Sequence, residues 1–188
     1  MNNKLKKYEA FRLSVNELRL NKKTLSEFSE TLKNDPQFKQ LRNQARQELQ
    51  SIYDILRKEF GMPALPVYLP VRKNILTRGR ASHVFGMPQE VRIYPLEGSM
   101  TKAYEDWLPK DINCSSCVYV FEILIHESAH VLEAHRYGVM GHEKPFVDAY
   151  VAIEIFMDKT EFGPLIDKKI RLTGCPDGSY AAKIAKKA

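Results

Sequence analysis

From Val118 to Tyr137 the chain carries no glycine and no proline, and Val, Ile, Leu and Phe crowd its first half. A segment this long and this continuously apolar exceeds an ordinary strand. It reads as a helix buried on most of its surface, with Gly138 as its C-terminal stop. Inside it sits His126-Glu127-Ser128-Ala129-His130. Burying ionisable groups in an apolar helix is costly unless each finds a partner. Imidazoles four residues apart project from one helical face, one turn apart, which suits two corners of a zinc site. The glutamate between them lies beside such a metal rather than on it, where it can take a proton from a zinc-activated water. The plainer reading is a pair of satisfied core histidines.

A catalytic zinc site needs a third protein ligand and an open fourth position. His142 is the leading candidate: it follows the helix after Gly138-Val139-Met140-Gly141, a loop able to turn the chain back. Pro145 then suits the first turn of a further helix with Phe146, Ala149, Tyr150, Ile153 and Met157 at helical spacing. Phe146 would anchor the segment that aims His142. Two rivals remain. His135, five residues past His130, points away from the ligand face and suits the helix end through its partial charge. Glu154 lies on the following helix. Asp148 is either a second acceptor behind a ligand histidine or a solvated carboxylate.

The 188 residues suit one domain with an extension, and 44% hydrophobic content is enough for a core. A net charge of +6 permits a polyanion partner without requiring one, since 29 basic residues stand against 23 acidic. Weak, sequence-independent DNA binding is an expectation on that balance. No signal peptide of the usual form and no membrane-spanning run is seen, so a cytoplasmic, intracellular location is expected. Three cysteines fit a reducing compartment: Cys114 and Cys117 form a CxxC pair read as two thiols at a helix start, and Cys175 stands apart.

The first third reads as helical. Lys4–Leu20 suggests one helix, Thr24-Leu25-Ser26-Glu27 has the form of a capping box, and Asp35-Pro36 is a start signal. From there Phe38, Leu41, Ala45, Leu49, Ile52, Tyr53, Leu56 and Phe60 share one face up to Gly61. The opposite face, with Lys39, Arg42, Arg46 and Glu48, reads as solvated. Leu65–Val71, Ala81–Phe85 and Val91–Tyr94 are short β-rich runs, with turns near Gly79 and at Gly86-Met87-Pro88. A short helix is expected near Tyr104–Leu108. The fold class is therefore α+β, with a small, mostly antiparallel sheet. Residues 1–34 form an N-terminal helical extension, 35–160 the metal-bearing domain, and 161–188 a basic tail with a turn at Cys175-Pro176-Asp177-Gly178.

The chain resembles the zincin metallopeptidases, and more narrowly their SprT-like group. The pieces that carry the likeness are Arg78-Gly79-Arg80-Ala81, Glu90-Val91-Arg92-Ile93-Tyr94-Pro95, His126-Glu127-Ser128-Ala129-His130 and Gly141-His142-Glu143-Lys144-Pro145-Phe146, across roughly residues 36–158. The resemblance implies a zincin-like domain, Zn2+ held by His126, His130 and His142, Glu127 as catalytic base, and hydrolysis of peptide bonds in a protein or peptide substrate. Some relatives cut proteins attached to DNA; this sequence lacks the complete C-terminal cysteine-rich zinc ribbon of several of them. An exposed strand at Ala81–Phe85 would pair with an extended substrate, with His83 facing either the cleft or solvent. Tyr137 and Tyr150 are candidates for stabilising the oxyanion, or else packing residues. Two other functions compete: a nucleic-acid-associated protein whose zinc is mainly structural, and an effector of phage or plasmid type that binds a host protein. The intact Glu127 argues against a structural site.

Overall fold

In a computed structural model, residues 5–70, 79–84, 87–94 and 117–165 are described. They form an α+β arrangement of five α-helices, a short 3-10 turn and a three-stranded sheet.

The helices begin and end where local chemistry dictates. Helix α1 is Lys6–Asn21 and α2 is Leu25–Asn34, the latter opened by the Thr24 side chain accepting from the Glu27 amide at 3.2 Å. Helix α3, Pro36–Phe60, starts at Asp35, whose Oδ1 accepts from the Gln37 and Phe38 amides at 2.8 and 3.4 Å. It ends at Gly61, held at φ 66°, where a side chain would be strained. Ala45, Leu49, Ile52, Tyr53 and Leu56 are buried along its expected stripe, with Phe38, Leu41 and Phe60 packed at the margins.

One residue of the face expected to be merely solvated has a different role. Glu48 Oε2 accepts from the backbone amides of Lys7 and Tyr8, both at 3.0 Å, so a carboxylate of α3 caps the start of α1. The first amides of a helix have no partner within it, and a negative charge there also favours the helix dipole. Tyr8, Phe11 and Val15 of α1 thereby join the same buried cluster as α3. Glu48→Ala is expected to lower stability by about 1–2 kcal/mol. Chemical denaturation followed by circular dichroism measures this, and an unchanged midpoint would mean that α1 docks without the cap.

Strand β1 is Val67–Tyr68, β2 Gly79–Val84 and β3 Met87–Ile93, in the spatial order β1-β3-β2. The sheet is mixed. The β2–β3 hairpin is antiparallel, and β1 joins the other side of β3 in parallel. Strand β3 starts four residues earlier than the sequence pattern predicts and runs through Pro88, one of the predicted turn residues. A register irregularity between Ser82 and His83 accommodates the residue that has no amide to donate. Beyond Val67–Tyr68 the expected first strand shrinks, because the prolines at 66 and 70 bracket it. Gln50 fixes β1 to α3 in the manner of a backbone peptide: its amide nitrogen donates to Leu65 C=O at 3.1 Å and its oxygen accepts from Val67 N–H at 2.8 Å.

Helix α4, Cys117–Tyr137, lies between this sheet and helix α5, Lys144–Asp158. Val120 to Ala134 are buried throughout except at His126, which matches the all-round apolar sequence. No helix among the described residues is long and apolar enough to cross a membrane. The short helix expected near Tyr104–Leu108, Cys114, Cys175 and residues 166–188 of the expected tail lie outside the described residues.

Candidate metal centre

Gly138, at φ 68°, ends α4 with its amide bonded to Ala134 C=O at 2.9 Å, and the chain turns. Helix α5 then begins with Pro145 in its first turn, so the intervening loop is short and anchored at both ends. This loop brings His142 over the face of α4 that carries His126 and His130. The Nε2 atom of His142 lies 3.2 Å from that of His130 and 3.3 Å from that of His126. An imidazole nitrogen has either one hydrogen or one lone pair, so His142 Nε2 can make one hydrogen bond, not two. The convergence is better satisfied by a cation at its centre: for metal–nitrogen bonds of about 2.0–2.1 Å, the edge of a tetrahedron is about 3.3 Å. All three ligand atoms lie within 4.8 Å of one another.

Phe146 is the floor of the cluster. It is fully buried, and its ring centroid lies 5.0, 4.5 and 4.9 Å from those of His126, His130 and His142. The expected anchoring role is thus wider than the loop, since one ring restrains all three imidazoles.

Glu133 is a residue that the sequence reading passed over. It is 1% exposed, and its Oε2 accepts from the Gly141 amide at 3.0 Å and lies 3.4 Å from His130 Nδ1. A carboxylate here favours the His130 tautomer with hydrogen on Nδ1, which leaves the Nε2 lone pair aimed into the cluster. The same oxygen grips the backbone next to His142. Burial raises the Glu133 carboxyl above its ordinary range, the Gly141 amide works against that, and Glu143 adds to it. The signal in the sequence was an acidic residue three positions past His130, inside a run of Val131, Leu132 and Ala134.

His130 itself is pushed down to about 3, first by burial and then by the neighbouring His126 and His142. It is held neutral, the form that ligates metal. Glu127 is pushed up to about 8 by burial, partly offset by the backbone amide of Ala81. That contact follows from the sheet register. Val91 donates its amide to Pro66 C=O at 3.0 Å, away from β2, so Val91 and Ala81 form a pair without mutual hydrogen bonds. The amide of Ala81 therefore faces outward from β3 and meets the carboxylate of α4.

The other candidates separate cleanly. His135 is exposed near the end of α4, and Glu154 is buried on α5 outside the three-histidine cluster. Asp148 is exposed and pairs with Lys144 at 2.6 Å, so it does not support a ligand histidine. Tyr137 is 48% exposed at the end of α4. Tyr150 is buried and donates its hydroxyl to Glu122 Oε2 at 3.0 Å. His83 lies on β2, but its side chain is outside the described residues.

Three converging imidazoles, one buried and two half-buried, form a site for a metal that prefers nitrogen ligands. The chain matches no family model, no curated protein and no solved structure. The chemistry of the site therefore rests on its own geometry.

Proposed function

We propose that this chain is a zinc-dependent metallopeptidase with a zincin-like domain of SprT-like type. The observation that carries the reading is the convergence of three Nε2 atoms, with the buried Glu127 next to His126 in the chain and outside the ligand set. A structural zinc usually closes with four protein ligands, whereas three histidines leave a position for substrate or water. Zinc, when bound, supplies a Lewis acid that polarises the scissile carbonyl and acidifies a water. Glu127 is the general base: it takes the proton from the water and delivers it to the leaving amine. The Ala81 amide orients the Glu127 carboxylate, and Glu133 with Phe146 holds the imidazoles in place.

Strand β2 is the sheet edge on the Glu127 side among the described residues, which supports an extended peptide as substrate. Such a segment adds to an edge through main-chain hydrogen bonds, so its backbone is drawn alongside Glu127. The test is a peptide-library digestion with the zinc-loaded chain, the chelated chain and Glu127→Gln in parallel. Cleavage by the first alone is expected; cleavage that persists in the other two overturns the reading.

A further inference from the structure

The sheet borders a second cleft, away from the edge that meets Glu127. In the parallel pairing of β1 with β3, Tyr68 stands beside Arg92, while Val67 and Val91 are buried beneath. Arg42 and Arg46, one turn apart on α3, line the same space. Together with Asn43, Leu69, Pro70 and Glu90 they enclose a cleft of about 520 Å³. Its three guanidiniums face one carboxylate, and that carboxylate, Glu90, is paired with Arg92. Neither Arg42 nor Arg46 has an ion-pair partner among the described residues. The cleft therefore holds surplus positive charge within a concave, partly apolar wall, where field lines focus on an anion. Tyr68 is 43% exposed and presents aromatic surface at the same wall.

We infer that this cleft binds a nucleoside phosphate, with Arg42, Arg46 and Arg92 taking the phosphate and Tyr68 stacking on the base. Guanidinium groups match phosphate oxygens in paired hydrogen bonds, and every base has a face for an aromatic ring. The volume lies within the roughly 300–1,000 Å³ usual for small-ligand sites. The chemistry is shared by a free nucleotide and by a nucleotide in a single strand. The inference is independent of the metal reading, because none of these residues belongs to the cluster of histidines.

The test is isothermal titration of the full zinc-loaded chain with adenosine 5′-diphosphate, with an oligothymidine ten nucleotides long and with inorganic phosphate, at low and at physiological salt. The expected result is binding of the diphosphate, weakened at least tenfold in R42A/R46A and in Tyr68→Ala, with phosphate alone binding more weakly. Both variants should keep their melting temperature and zinc content. Arg42→Lys provides a second check, since it keeps the charge but loses the paired geometry and should lie between the two. Oligothymidine that displaces the diphosphate identifies a strand as the source; diphosphate binding without oligothymidine binding identifies a free nucleotide. No heat with diphosphate or oligothymidine at low salt, or binding that the folded variants leave unchanged, overturns the inference.

Discussion

Glu127→Gln is expected to leave metal content and fold intact while lowering peptide hydrolysis by about a thousandfold or more, because two proton transfers depend on one group. The structural side of this expectation follows from burial. Glu127 is buried, and an amide of nearly the same size fits the space its carboxylate fills. The amide oxygen can still accept from Ala81 N–H. Only the ability to take a proton is lost. The check is a pair of measurements on one preparation, zinc per chain and initial rate of peptide cleavage. Full turnover by this variant would remove Glu127 from the mechanism. Loss of zinc together with turnover would instead make it a residue of the metal site's framework.

His142→Ala is expected to abolish stoichiometric metal binding, whereas His135→Ala leaves it unchanged. Removing His142 leaves two imidazoles on one helix face and opens a second vacant position. The loss should exceed the roughly 10–100-fold that follows removal of an outer partner such as Glu133. His142 comes from a loop rather than the core, so the variant should still fold, and circular dichroism verifies that. His135 is exposed and contributes nothing to the cluster. Metal content by mass spectrometry after dialysis against a weak chelator separates the two variants. The opposite ranking would reverse the ligand assignment.

Local chemistry made much of this molecule legible in advance. The Asp35-Pro36 start, the Gly61 and Gly138 stops and the Thr24 cap are each written in a few adjacent residues, and each occurs where it was expected. The three histidines were legible too. Two follow from helical spacing, and the third from a glycine-bounded loop that has few places to go. Contacts made across the chain were not legible. Glu48 looks like any exposed carboxylate until the start of α1, some forty residues earlier, is laid against it. Glu133 has its partner in a backbone amide of the loop, which carries no side-chain signature. Pro88 looked like a turn residue because its tolerance within β3 depends on a register shift against β2, with Gln89 as the extra residue, that adjacent residues do not announce. The arginines of α3 looked solvated because the strands that complete their cleft come later in the chain.

Every role proposed for the site depends on the metal. X-ray absorption at the zinc edge, on the full chain loaded with one equivalent of zinc, tests it most directly. The predicted spectrum has three imidazole nitrogens and one oxygen in the first shell at about 2.0–2.1 Å, with no sulfur. A sulfur shell would place the zinc on the cysteines instead, and failure to retain a stoichiometric ion would contradict the three-histidine centre outright.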